Sequence, residues 1–337
     1  MDVLAGVPGA ARANAPAARI SVVVPVYNEQ EVLHEFHGRL CATLDALPME
    51  AEIVYVNDGS RDQTMALLTA LHEADPRVAV VDLSRNFGKE IAMSAGLDFA
   101  DGDAVVIIDA DLQDPPELIP QMVERWREGC DVVLMRRRTR DEESWFRRTT
   151  ASTFYAVIGR MSQVEIPQDI GDFRLLSRRA TDALRRFPER ARFMKGLFAW
   201  IGFPTATIDY DRPGRQAGTS KYSYWRLWNF ALEGITSFSA VPLKIASYVG
   251  LAAAVGAFVY GAYVVVKTLL HGDPVQGWPT LAVLVLFLGG VQLMAIGIIG
   301  EYLARMFAEV KQRPLYFVQR HLVSDRPRVG ARPPEVR

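Results

Sequence analysis

AVVIIDADLQ, residues 104–113, joins a hydrophobic run to two carboxylates. Ala104 to Ile108 is short, apolar and rich in β-branched side chains, the pattern of a strand buried on both faces of a parallel sheet. Asp109 and Asp111 then fall just beyond its carboxyl end, the edge where open α/β sheets place their ligands. Two carboxylates with the Gln113 carboxamide suit a hard divalent cation, and such a cation suits a diphosphate. An isolated Asp-x-Asp also fits a solvated acidic loop, since short motifs match by chance. The surrounding sequence has to decide between the two.

Upstream, ISVVVPV (20–26) is another buried strand, followed by the polar turn Tyr27-Asn28-Glu29. Val32, Leu33, Phe36, Leu40, Leu44 and Leu47 recur at helical spacing over 31–47. EIVYV (52–56) is a second strand, ending in Asn57-Asp58-Gly59-Ser60. Ser60 or Asp62 can cap a helix over 63–74. A strand over 78–83, a helix over 88–100, the strand before the acidic pair and a strand over 131–135 follow in turn. Asp114-Pro115 is predicted to start a helix with Asp as its N-cap. This alternation implies an α/β, Rossmann-like, mostly parallel sheet. Its strand ends bring Tyr27, Glu29, Asp58, Asp109 and Asp111 to one edge, a nucleotide-binding crevice. Neither Gly-x-Gly-x-x-Gly after the first strand nor a Walker lysine motif is present, so dinucleotide and P-loop chemistry are unsupported.

The 337 residues carry a formal net charge of −1, and no global field points to nucleic acid. The two cysteines, Cys41 and Cys130, lack metal-ligand spacing and read as reduced thiols of a cytosolic domain. Residues 1–18, rich in Ala, Pro and Gly, are expected to be a disordered leader rather than a signal peptide.

Residues 241–304 are strongly apolar and almost uncharged. Ile245–Val266 and Leu281–Leu303 are each long enough to cross a hydrocarbon core of about 30 Å. A polar turn over 271–279 separates them, so 244–304 reads as a transmembrane hairpin. Lys244, Arg305, Lys311 and Arg313 flank it, which places both chain ends and the soluble domain in the cytoplasm. The aromatic stretch over 222–238, within a 221–243 segment, reads as an interfacial helix. Residues 305–337 are expected to form a cytoplasmic tail.

The ordered series VVVPVYNE (22–29), VNDGSRD (56–62), LSRNFGKE (83–90), DADLQDPPE (109–117), DFRLLSRR (172–179) and RQAGTSKY (215–222) resembles the family 2 glycosyltransferases of the GT-A fold. With the hairpin, it is similar to their polyprenyl-phosphate branch, which includes bactoprenol glucosyltransferase and dolichol-phosphate mannose synthase. The resemblance covers about residues 19–310, with 19–220 as the catalytic domain.

The resemblance implies inverting sugar transfer from a nucleotide-sugar donor to a polyprenyl monophosphate at the inner (cytoplasmic) membrane. It implies that Pro25, Tyr27, Glu29 and Asp58 hold the nucleoside, and that Asp109, Asp111 and Gln113 organise Mg²⁺ or Mn²⁺ on the diphosphate. Arg215 and Lys221 are implied as a basic clamp, with Gly218 letting their loop bend. Arg136, Arg148 and Ser152 are implied at the acceptor phosphate, and Asp172 as an orienting group or base. UDP-glucose is the favoured donor and undecaprenyl phosphate the favoured lipid, with GDP-mannose or a UDP-aminoarabinose-type donor as alternatives. A homo-oligomer, a tetramer, is also implied. A reading of another class, a non-catalytic membrane scaffold or flippase, conflicts with the intact acidic motif and basic loop.

Overall fold

The computed structural model describes residues 18–138, 170–187, 189, 194–211, 241–271 and 277–325. Its strands are β1 (Arg19–Val26), β2 (Glu50–Asn57), β3 (Val78–Leu83), β4 (Ala104–Ile107), β5 (Val132–Arg137), β6 (Ile170–Ser177), β7 (Thr205–Tyr210) and β8 (Val318–Leu322). They form one sheet in the order β7-β5-β6-β4-β1-β2-β3-β8. β1 lies parallel to β2 and β4, β2 to β3, and β5 to β7. β6 runs antiparallel to both β4 and β5, and β8 antiparallel to β3.

The apolar runs are buried on both faces, as expected for strands roofed by helices on each side. Val22 and Val24 face one core, Val23 the other, and all three are fully buried. The first core takes Phe36 and Leu40 from α1 (Leu33–Asp45), Leu68 from α2 (Thr64–Ala74) and Met122 from α4 (Ile119–Arg127). The second takes Met93 and Leu97 from α3 (Lys89–Phe99), Leu184 from α5 (Arg178–Arg185) and Phe198 from α6 (Met194–Trp200).

Sequence and structure agree on β1 to β5 and α1 to α4, with shifts of a few residues at their ends. Of the two candidate caps for α2, Asp62 takes the backbone N–H of Thr64 at 3.0 Å, while Ser60 accepts from Asn28 N–H. One expectation is corrected. Asp114 does not cap a helix, because Pro115 is the residue preceding a 3₁₀ turn over Pro116–Leu118 that runs on into α4. The Asp114 carboxylate is wholly buried and accepts instead from the Tyr210 hydroxyl at 2.5 Å.

Two long helices follow, α7 (Val241–His271) and α8 (Trp278–Val310), covering both expected spans. They show apolar side chains outward, Phe258, Leu269 and Leu293 among them, as lipid-facing helices do. Within α8, Phe287–Ala304 is long and apolar enough to cross a membrane, and in α7 the apolar stretch Tyr248–Tyr260 is shorter. After α8 the chain returns to the sheet as β8, within the segment expected to be a tail. The expected leader, the interfacial helix over 222–238, Arg148, Ser152, Arg215, Gly218 and Lys221 lie outside the described residues.

Gly96 lets α3 approach β1, since a Cβ there would overlap Val23 Cγ1, whereas one at Gly38 on α1 would meet nothing within 4 Å. Gly96→Ala is expected to cost about 2 kcal/mol by overpacking. Gly38→Ala should instead add about 0.5–1 kcal/mol through helix propensity. Thermal denaturation of the two variants in detergent, moving in opposite directions from the parent, checks this packing.

Candidate active site

The strand order reverses between β1 and β4, because the chain builds outward through β2 and β3 before returning to β1's other side. The loops leaving those two parallel strands lead to helices on the same face, α1 and α4, tied by Arg39 to Glu117 at 2.8 Å, and both open at the carboxyl edge where such sheets hold ligands in a crevice. Tyr27 stands on one rim, with two-fifths of its surface exposed. Asp109 and Asp111 stand on the other, both half-buried.

The loop after β1 is laced to the loop after β2. Asn28, at φ 55°, donates its N–H to Ser60 Oγ at 3.0 Å, and its side-chain oxygen accepts from Arg61 N–H at 2.8 Å. Glu29 N–H donates to Thr64 Oγ1, and Gln30 Oε1 accepts from Gln63 N–H, each at 3.0 Å. Gly59 brings the second loop against the third. Its φ is 64°, and a Cβ would fall 2.5 Å from the Arg85 carbonyl carbon and the Asn86 nitrogen. Only glycine satisfies both the left-handed backbone and that approach.

Asp58 closes the lacing. Its carboxylate accepts from Phe87 N–H at 2.7 Å and from Gly88 N–H at 3.0 Å, and the residue is only 3% exposed. Burial pushes its pKa up, against the pull of the two amides. Any contact with a nucleoside base would add to these two bonds, so the visible work of Asp58 is to hold the loop after β3.

That loop delivers Lys89, a residue that motif reading left without a role. Its ammonium donates to Asp109 Oδ2 at 2.6 Å and to Asp172 Oδ2 at 2.5 Å, joining the starts of α3, the end of β4 and β6. Burial works against the ammonium, but the two carboxylates outweigh it and raise its pKa. Asp109 is pushed up by burial and by Asp172, with Lys89 opposing. Asp172 is in turn seated by Arg174, which donates to the Asp172 carbonyl at 3.2 Å and to the Gly171 carbonyl at 2.6 Å. The Arg174 guanidinium lies 3.8 Å from the centre of the Phe198 ring, and burial lowers its pKa to about 10.

The turn after Asp109 is tight. Leu112 adopts φ 60°, unusual for a branched residue, and Gln113 N–H bonds to Asp111 Oδ1 at 3.1 Å. A non-glycine residue held there stores strain of the kind found at ligand sites. Gln113 is 6% exposed, so it stands behind the carboxylate pair, while Asp109 and Asp111 reach the crevice. Hard oxygen donors around a point already holding a cationic ammonium fit a divalent ion.

At the end of β5 the structure separates two neighbouring arginines. Arg136 forks onto Asp209 at 2.6 and 3.0 Å. Arg137 points the other way, toward Gly171, close to Tyr210 and within the field of Asp114 and Asp109. Its Nε is buried without a hydrogen-bond partner among the described residues. The expected acceptor-site residue Arg136 thus pairs with Asp209, while Arg137 lies beside Gly171 and Tyr210.

A second cluster, His37, Cys41 and Asp75, brings its ligand atoms within 4.8 Å of one another. It sits before β3, at the opposite edge of the sheet, and Arg77 already meets Asp75 at 2.8 Å. Burial pushes the Cys41 thiol up to about 11, so it is a poor source of thiolate. The cation of this cluster is Arg77.

Asp58→Asn replaces one acceptor by a donor facing a backbone N–H. It is expected to cost about 1–3 kcal/mol of stability. A lowered melting temperature of the full-length protein in detergent checks it.

Comparison with known proteins agrees with this geometry. Residues 21–185 match the glycosyl transferase family 2 model, and residues 241–306 match the GtrB C-terminal hairpin. The chain is 50% identical over 299 residues to an uncharacterized glycosyltransferase of Synechocystis sp., covering 89% of this chain and 94% of that one. It is 47% identical over 302 residues to the SfII prophage-derived bactoprenol glucosyl transferase of Shigella flexneri, covering 90% and 98%. Among solved structures, glucosyl-3-phosphoglycerate synthase of Mycobacterium tuberculosis with Mg²⁺ and UDP aligns at TM-score 0.47 and 21% identity, over 65% of this chain and 77% of that one. The hairpin makes this a membrane-associated protein. The chain belongs to glycosyl transferase family 2 and is a glycosyltransferase of GT-A-like fold.

Proposed function

We propose that the protein transfers glucose from UDP-glucose to a polyprenyl monophosphate, undecaprenyl phosphate first, with inversion at the anomeric carbon. The observation that carries this is the placement of Tyr27 and of the Asp109–Asp111 pair just past the carboxyl ends of the neighbouring parallel strands β1 and β4. The 47% identity to bactoprenol glucosyl transferases over 90% of the chain supports the acceptor class.

Tyr27, exposed on its rim, is suited to stack on the base, with Pro25 and Glu29 assigned beside it to the nucleoside from the family motif. Asp109 and Asp111 would hold Mg²⁺ or Mn²⁺, with Gln113 behind them, and that ion supplies charge neutralisation for the leaving nucleoside diphosphate. Arg215 and Lys221 are assigned to closing over the diphosphate from the family motif alone, as are Arg148 and Ser152 to the acceptor phosphate. Arg137 joins them there, with a guanidinium suited to paired bonds with phosphate oxygens. The acceptor is its own nucleophile. A phosphate monoester with a second pKa of about 6 is already anionic at neutral pH. It needs placement more than deprotonation. Asp172, fixed by Lys89 and Arg174, is assigned to orienting that attack.

The return of the chain from α8 into β8 of the catalytic sheet supports a hairpin whose two ends lie on one side of the membrane. The cationic residues Lys244, Arg305, Lys311 and Arg313 at those ends support that side as the cytoplasm.

The test is transfer by the purified full-length protein in detergent, with radiolabelled UDP-glucose, Mg²⁺ or Mn²⁺, and undecaprenyl phosphate. Label should enter the organic phase only with metal, and Asp111→Ala should lower the rate at least about 100-fold. Arg137→Lys should raise KM for the lipid phosphate about tenfold while changing kcat less, as expected when a bidentate contact becomes a point charge. Transfer from GDP-mannose or a UDP-aminoarabinose-type donor alone would keep the reaction and replace the donor. A folded protein inactive with every nucleotide sugar would return the scaffold reading.

A further inference from the structure

Lys89 holds the very carboxylate that the proposed metal needs. Its Nζ lies 2.6 Å from Asp109 Oδ2 and 2.5 Å from Asp172 Oδ2. The position is built rather than incidental. Lys89 opens α3 directly after Gly88, whose φ is 99° and whose N–H is held by Asp58. Glu90, next along, accepts the backbone N–H of Met194 at 3.1 Å, which fixes the first turn of α3 against α6. The ammonium therefore cannot leave Asp109 by moving its backbone. It can do so only by swinging its side chain.

A divalent ion on Asp109 and this ammonium on the same carboxylate would repel each other at short range in a partly desolvated crevice. One of them has to yield. A nucleoside diphosphate changes that balance, because it offers oxygens both to the metal and to the ammonium.

On the reading of Asp109 and Asp111 as metal ligands, we propose that Lys89 is a resident counter-ion that makes metal binding conditional on the donor. Without nucleotide, Lys89 occupies Asp109 and weakens metal binding. When the donor diphosphate enters, Lys89 turns to its oxygens and releases Asp109 to the ion. Lys89 is a positioning residue for the carboxylates in the empty crevice and a diphosphate ligand in the filled one. Metal and nucleotide then strengthen each other's binding by the same factor, as linkage requires.

The experiment is a titration of Mn²⁺ into the full-length protein in detergent, with and without UDP, following the free Mn²⁺ signal by electron paramagnetic resonance. UDP binding without metal is measured beside it by calorimetry. In the parent protein, UDP should tighten Mn²⁺ binding at least about tenfold. Lys89→Met should tighten nucleotide-free Mn²⁺ binding by about tenfold or more and weaken metal-free UDP binding, through loss of one contact charge. Opposite signs in one variant are not what simple damage to the crevice produces, since damage weakens both. Lys89→Arg, which keeps the charge, should stay close to the parent. Lys89→Gln, with donors but no charge, repeats the test should the methionine variant fail to fold. Nucleotide-free Mn²⁺ affinity in folded Lys89→Met or Lys89→Gln equal to the parent's overturns the inference while leaving the metal site standing. Failure of the parent to bind Mn²⁺ even with UDP removes the metal site, and this inference with it.

Discussion

A carboxylate drawn out of water has to meet a cation, and the carboxyl edge of this sheet gathers three of them. Asp109 and Asp111 follow the end of β4 and Asp172 lies near the start of the antiparallel β6, all three partly withdrawn from solvent. An uncompensated group of that kind would destabilise the strands that carry it. Lys89 removes the conflict by spanning two of the three. Much of the local architecture can be read as the means of keeping that ammonium in place. Asp58 pins the amides just before it, Gly59 lets the neighbouring loop come close enough to do so, and Glu90 anchors the turn just after it.

The same lacing explains why separate loops behave as one rim. Each loop leaves its own strand, and a loop alone pays for order with backbone entropy. Here Asn28, Gln30, Ser60, Asp62 and Thr64 exchange bonds between side chains and backbone across the first two loops, and Asp58 extends the chain of contacts to the third. Polar residues that look like ordinary turn composition are thus cross-links between turns. Tyr27 can remain exposed because the residues after it are held without its help.

The runs of Val and Ile made β1 to β4 legible, because a strand buried on both faces needs no partner to announce itself. β6, β7 and β8 were not legible for three different reasons. β6 carries a buried Arg174 in its middle, an unfavourable residue for a core strand until the Phe198 ring and two carbonyls are seen around it. β7, TATIDY, alternates polar with apolar, but it is short and of its inward residues only Tyr210 is buried. β8 is an edge strand with an exposed polar centre, VQRHL, stable only because β3 offers it hydrogen bonds. Asp109, Asp111 and the rim residues were legible because motifs are local. Lys89 was not, since its partners lie 20 and 83 residues away. Arg137 was not singled out beside Arg136, because the local register is not legible in the sequence. The pairing of β5 with β6 shifts between Leu134 and Arg136, and such an irregularity re-aims the side chains that follow.

The C-terminal strand ties the membrane hairpin to this rim more directly than a tail could. β8 covers the free edge of β3, which would otherwise present unpaired backbone groups. Just before β8, Phe317 accepts the N–H of Ser84, the first residue of the loop that ends in Lys89. Tyr316 reaches Asp98 near the end of α3 at 3.0 Å, and His321 packs edge-on against Phe99, 4.6 Å between ring centres. Both ends of α3 therefore feel the segment that leaves α8, its start through the loop and its far end through these side chains. A displacement of that segment would have to stretch the bond to Ser84 or repack the far turn of α3, and Lys89 is the first residue of that helix. On the proposed function, donor rim and membrane anchor share a few hydrogen bonds of one sheet edge. The distance between bound donor and lipid is then fixed by packed structure as well as by the chain connecting the domains.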